Sequence, residues 1–228
     1  MDNFPIVQKS AVAQYEKAAK GGIKLYPSLE LVRLINRFFK SRKGKLLEYG
    51  FGSGCNTIHL LKSGYNVFGL DVSKNCTKRT SLRINKIKDL KRKPRLIHLK
   101  PESKQIPFPS NHFDFIVAMS VLSLLGSRSK VKNLLKEFKR ILKPKGKIIL
   151  DINDQNSVFS GKKNKIKSNV YKAKPVDGFI NTFCLKSEKD FKNLVKPYFS
   201  IVDIGFSSHK LFRRTITEFI ICAAKSYR

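Results

Sequence analysis

Lys45-Leu46-Leu47-Glu48-Tyr49-Gly50-Phe51-Gly52-Ser53-Gly54 reads as a short strand running into a glycine-rich turn. Glycine lets a backbone turn sharply and come close to a ligand. The helix predicted next, Asn56 to Lys62, would aim its first N–H groups at that ligand. A second strand, Tyr65 to Leu70, follows and ends at Asp71.

The spacing of this turn discriminates between ligands. A dinucleotide site needs G-x-G-x-x-G, with room for a pyrophosphate. Here the run is Gly50-x-Gly52-x-Gly54, and Cys55 stands where the last dinucleotide glycine would be. Glu48 also puts a carboxylate at the entrance, a poor neighbour for a pyrophosphate and a good one for a ligand carrying an ammonium and a sulfonium. Asp71 is placed to accept hydrogen bonds from both ribose hydroxyls of an adenosine.

Farther out, helical and strand patterns alternate, which argues for an α/β domain with a mainly parallel sheet. A helical segment from about Lys9 to Lys20 stops at Gly21-Gly22. A second helix opens at Pro27, with Leu31, Leu34, Ile35 and Phe38 at helical spacing. Ser73 is a cap for a basic helix reaching about Lys88. Arg95 to Leu99 and the almost wholly apolar Phe113 to Met119 are the third and fourth strands. Lys130 to Leu142 is an amphipathic helix, and Lys147 to Ile152 a fifth strand. Asn153 to about Phe183 is the least regular stretch and reads as an insertion or lid. After a helix from Ser187 to about Val195 come two late strands, Phe199 to Phe206 and Thr215 to Ala223. Their short link, Ser207 to Arg214, suits an antiparallel pair.

On these motifs the chain resembles the class I S-adenosylmethionine-dependent methyltransferases, in the group acting on small molecules ("type 11"-like). Leu46 to Gly54 resembles the family's first motif and Gly69-Leu70-Asp71-Val72-Ser73 its second. Glu102-Ser103-Lys104-Gln105-Ile106-Pro107-Phe108 is similar to the segment beside the adenine, with Glu where the family more often has Asp. Phe113 to Ser120 resembles the fourth-strand motif, and Leu142-Lys143-Pro144-Lys145-Gly146-Lys147 the turn before strand five.

The resemblance implies a Rossmann-like fold: a seven-stranded, mainly parallel sheet, an antiparallel C-terminal strand pair and helices on both faces. It divides a single domain into an N-terminal helical cap (1–43), a cofactor core (44–152), an insertion or lid (153–185) and a C-terminal helix and strand pair (186–228). The implied cofactor is S-adenosyl-L-methionine, held by Glu48, Gly50, Gly52, Gly54, Asp71, Glu102, Ser103, Met119 and Ser120.

Many members carry a His soon after the fourth strand. This chain has Val121-Leu122-Ser123-Leu124-Leu125 there. No catalytic residue is therefore assigned; Tyr15, Tyr26 and His209 remain as weak candidates for a base. Methyl transfer from a sulfonium is an in-line displacement that needs a base only when the acceptor arrives protonated.

Composition bounds what else the chain does. Its 228 residues and 41% apolar content support one domain with a full core. Cys55, Cys76, Cys184 and Cys222 form no C-x-x-C pair and fit reduced thiols in a cytoplasmic setting. No His/Cys/Asp cluster has metal-ligand spacing. No apolar run is long enough to span a bilayer, and no signal peptide is visible.

The formal charge is +31, from 47 Lys and Arg against 16 Asp and Glu. Such a surface attracts anions. Two readings stay open: a lysine-rich composition spread along the whole chain, or a polyanion partner. A small-molecule acceptor, with an anionic one an expectation of the basic surface, is the leading reading. Action on RNA or another polyanion, and cofactor binding without turnover, are the alternatives.

Overall fold

The computed structural model describes residues 12–13, 16–17, 25–100, 103, 105–160, 165–174, 179–211 and 214–226. Seven strands form one sheet in the order β3-β2-β1-β4-β5-β10-β9. Their ranges are β1 Lys45–Tyr49, β2 Asn66–Asp71, β3 Arg95–His98, β4 Phe113–Ala118, β5 Leu142–Asn153, β9 Ser200–Leu211 and β10 Arg214–Ala224. The strands from β3 to β5 run parallel, and β10 pairs antiparallel with both β5 and β9. The expected Rossmann-like sheet with its antiparallel end is present.

Each strand alternates its side chains between two faces. Leu47, Ile116, Ile148 and Leu150 point to one core, while Leu46, Val117 and Ile149 point to the other. Helices α4 (Arg128–Ile141) and α5 (Glu188–Val195) cover the first face. Helices α1 (Leu29–Phe38), α2 (Cys55–Lys62) and α3 (Lys74–Asn85) cover the second. In α4 the buried residues Val131, Leu134, Leu135, Phe138 and Ile141 follow the helical period, while Lys132 and Lys136 are exposed on the other side.

Helix starts follow one rule with one exception. Ser28, Ser73, Ser127 and Ser187 cap α1, α3, α4 and α5, each accepting the backbone N–H of the third helical residue. Helix α2 starts on Gly54, which is left-handed and has no side chain to cap with. Among the described α-helices, only the one after the glycine turn begins uncapped by a side chain.

Two expectations are corrected. The stretch from Asn153 to Phe183 is more ordered than its sequence suggested. It holds a three-stranded antiparallel sheet, β6 Lys165–Lys167, β7 Val170–Ala173 and β8 Ile180–Phe183. Strand β8 packs on the short 3-10 helix Leu122–Leu125 that follows β4. Short runs rich in Lys and Asn hide their strand pattern until the partner strands pair them.

The late strands are also longer than read. Pairing continues to Arg214↔Leu211, so His209 lies on β9 and not in a loop. Ser and His carry little strand signal on an exposed edge, where ladder bonds decide the conformation.

All four cysteines are buried. Among the described residues no helix is long and apolar enough to cross a membrane.

Candidate functional site

The carboxyl ends of β2, β1, β4 and β5 lie side by side. Between β1 and β4 the strand order reverses, which is where open α/β sheets leave a crevice for ligands. The glycine turn sits at this point.

Gly50, Gly52 and Gly54 all have positive φ, at 80°, 50° and 77°. Such angles suit glycine and strain other residues. The three glycines differ in what surrounds them. A side chain on Gly50 would strike Val121, and one on Gly54 would strike Thr80. Around Gly52 a side chain would meet nothing within 4 Å. Gly50 and Gly54 therefore let protein pack on protein, whereas Gly52 faces open space.

Asp71 ties the two motifs together. Its Oδ2 accepts the Gly52 N–H at 2.7 Å, and its Oδ1 accepts the Ser73 N–H at 2.8 Å. Burial raises its pKa, and these two N–H bonds partly offset that. A carboxylate has about four lone-pair sites, so each oxygen keeps room for a further donor. Thr80 donates to the Gly52 carbonyl at 3.1 Å, and Arg83 reaches the Ser53 carbonyl from α3.

Glu48 lies beneath the turn, almost wholly buried, and accepts the Thr57 hydroxyl. Burial, together with the nearby Asp71 charge, pushes its pKa up to about 8; hydrogen bonds from Thr57 and Asn56 work the other way. Asn56 also accepts the Ser28 backbone N–H at 2.9 Å. The N-terminus of α1 is thereby fastened to the helix that follows the glycine turn.

At the end of β4, Met119 is buried and Ser120 exposed. Ser120 has φ 58°, and its N–H donates to both carboxylate oxygens of Asp151 on β5, at 2.6 and 2.8 Å. Ser103 is described, with its N–H bonded to the Lys100 carbonyl at 2.9 Å. Glu102 and Tyr15 lie outside the described residues.

The weak candidates for a base are dispersed. Tyr26 is 81% exposed. His209 Nδ1 lies 3.8 Å from Glu30, at the edge strand. His98 bonds the Val72 carbonyl, and His112 stacks on Phe108, both as parts of the packed structure. Asp114 accepts the Lys45 N–H and the Lys143 ammonium, each at 2.8 Å, and so braces the start of two strands. Among the described residues no three His, Cys, Asp or Glu side chains group as a metal site.

Sequence reasoning missed Asn56, Thr57, Thr80, Arg83 and Asp151. None belongs to a motif by residue type alone. Only the spacing of Asn56 and Thr57 in the helix after the turn gave any signal.

Comparison with known proteins agrees with this geometry. Residues 47–150 match the family model described as a methyltransferase domain. A 156-residue stretch is 32% identical to the uncharacterized protein MJ1123 of Methanocaldococcus jannaschii, covering 67% of this chain and 66% of that one. The fold is shared with a SAM-dependent methyltransferase of Methanosarcina mazei: TM-score 0.72, 20% identity, over 90% of this chain and 100% of that one. It is also shared with the N-methyltransferase NodS of Bradyrhizobium japonicum in complex with S-adenosyl-l-homocysteine: TM-score 0.68, 12% identity, over 95% and 99%. With its glycine turn and sheet order in agreement, residues 47–150 form a methyltransferase domain of the class I S-adenosylmethionine-dependent type 11 group, whose cofactor is S-adenosyl-L-methionine.

Proposed function

We propose that the protein transfers the methyl group of S-adenosyl-L-methionine to a small-molecule acceptor by in-line displacement. The observation that carries this reading is the open space at Gly52, next to an Asp71 that bonds the Gly52 N–H and keeps lone pairs to spare. Spare carboxylate acceptors beside an open turn fit the two hydroxyl donors of an adenosine ribose.

The cofactor supplies a methyl group already activated on a sulfonium. The chain's own task is to bind, align and exclude water. Gly52 admits the ligand close to the backbone. Asp71 accepts the ribose hydroxyls. Glu48 places its carboxyl near the positive end of the ligand. Gly50 and Gly54 keep the turn packed on Val121 and Thr80. Met119 and Ser120 border the reacting end, with the exposed Ser120 toward the acceptor. Glu102 and Ser103 are assigned to the adenine side by the motif alone. The small sheet β6–β8, seated on the 3-10 helix after β4, is suited to screen the acceptor from water.

A small acceptor is supported by the contact of β8 with the 3-10 helix that follows β4.

The test is calorimetric titration with S-adenosyl-L-methionine, S-adenosylhomocysteine and NAD side by side. The two sulfur ligands are expected to bind and NAD is not. Binding of NAD alone would sink the reading. Turnover is then sought by mass spectrometry on acceptor panels; donor binding with no methylated product from any small molecule would favour the silent alternative.

A further inference from the structure

Two acids lie against each other at the edge of β5 and β10. The register pairs Asp151 with Ile220 and Asn153 with Glu218, so Asp151 and Glu218 are diagonal neighbours on one face. Both are buried, and their side chains hydrogen-bond to one another. Two bare carboxylates in contact in a dry site repel strongly, so the pair holds a proton between them. Burial first, and the charge of Glu218 second, raise the pKa of Asp151 well above the ordinary range.

The charged and polar groups facing Asp151 come from three elements. The Ser120 N–H reaches it from the end of β4. Glu218 reaches it from β10, and the field of Glu30 reaches it from α1. Glu30 in turn faces His209 on β9. Against these acids, the Ser120 N–H is the backbone donor that reaches both Asp151 oxygens.

That N–H belongs to a residue in an unfavourable conformation. Left-handed φ is unfavourable for a non-glycine residue. The turn after β4 persists only where neighbours over-determine it.

We propose that Asp151 is a positioning residue for the cofactor. By taking the Ser120 N–H on both oxygens it fixes the left-handed turn that sets Met119 and Ser120 beside the ligand, and Glu218 steadies it through the shared proton. This rests on the cofactor reading above. Removal of the last proton would set the two acids against each other and loosen the turn.

The experiment is titration with S-adenosylhomocysteine across pH 6 to 10, using the full chain and three variants, with urea unfolding of each apo protein alongside. Asp151→Ala is expected to weaken binding by about tenfold, as for the loss of a charge-assisted hydrogen bond. Asp151→Asn keeps an acceptor for Ser120 and a donor for Glu218, so its affinity at pH 7 stays within about threefold of wild type. Wild-type affinity falls on the alkaline side. Glu218→Gln, which cannot ionise, abolishes that fall.

A merely structural role would lower the apo unfolding midpoint and leave affinity and pH profile unchanged; that result overturns the proposal. So does a Glu218→Gln protein that keeps the wild-type alkaline fall. If Asp151→Ala does not fold, the Glu218→Gln profile decides alone. If wild type binds neither S-adenosylhomocysteine nor S-adenosyl-L-methionine, the cofactor reading fails first and this one with it. If wild type binds and Asp151→Ala binds equally well, this inference fails alone.

Discussion

The Gly52 N–H donates to Asp71 Oδ2 at 2.7 Å, so the glycine turn and the acid at the end of β2 are one bonded unit. Asp71 is thus both a candidate ligand group and a brace for the loop that would carry the ligand. Asp71→Ala removes both functions, and S-adenosyl-L-methionine binding is expected to fall by roughly 10- to 100-fold, as for hydrogen bonds to a charged group. Asp71→Asn keeps one acceptor oxygen and is expected to lose less. Calorimetry with both variants checks the order.

Gly52 and Gly54 are expected to separate binding from folding. Gly52→Ala meets no neighbouring atom, so only its positive φ resists, at about 1–2 kcal/mol. That protein folds and loses affinity, because the new methyl occupies the open approach. Gly54→Ala adds a clash with Thr80 to the same backbone strain and costs about 3 kcal/mol of stability. Urea midpoints set beside cofactor affinities distinguish the two outcomes. Equal losses of stability would refute the difference in environment.

Glu48 makes the apo protein weaker as pH rises. Its folded pKa is about 8, above the ordinary carboxylate value of 4.5. A raised acid favours the folded state fully below its unfolded pKa, and that contribution is lost as pH climbs through the folded pKa. Between about pH 4.5 and 8 the urea midpoint of the apo protein is therefore expected to fall. Asp71 and Asp151 shift in the same direction and add to the slope. Glu48→Gln should flatten much of it.

Cofactor binding has the opposite slope over this range. A cationic ligand end favours the ionised Glu48, so binding releases a proton to the buffer below pH 8. Affinity for S-adenosyl-L-methionine is expected to rise with pH until about 8, by up to about tenfold per unit. Titration in buffers of different ionisation enthalpy counts the proton. Heat that is independent of buffer would remove Glu48 from the ligand's surroundings.

Asn56 fastens α1 to the turn helix through the Ser28 N–H. Asn56→Ala leaves that N–H without its side-chain acceptor and removes one hydrogen bond to Glu48. Stability is expected to fall by about 1 kcal/mol. Hydrogen exchange at Ser28 is expected to quicken, while exchange in α4, on the opposite face of the sheet, stays as it was.

Much of the fold was legible because its signals are local. Gly50 to Gly54 needs positive φ, Asp71 ends an apolar run, and Ser73 announces a helix. Strand β1 was read with its observed ends, since Lys45 and Gly50 bracket it. The site was legible only where ligand contact and backbone demand coincide. Asp151 escaped because a lone Asp in an apolar strand says nothing until β4 and β10 are placed beside it. Strands β6 to β8 escaped because they are only three or four residues long, and pairing with one another within residues 165–183, more than their own residues, makes them strands. His209 was misplaced because pairing along an edge outruns any composition signal.

The burial of Glu48 bears on how a catalytic cycle would end. Methyl transfer turns a sulfonium into a neutral thioether, so the spent ligand carries one positive charge fewer than the fresh one. A carboxyl held under the turn, short of water and ready to ionise near pH 8, would feel that difference strongly. On the proposed reading it would grip the charged form and slacken on the discharged one. The same acid that weakens the empty fold would thereby help exchange product for substrate.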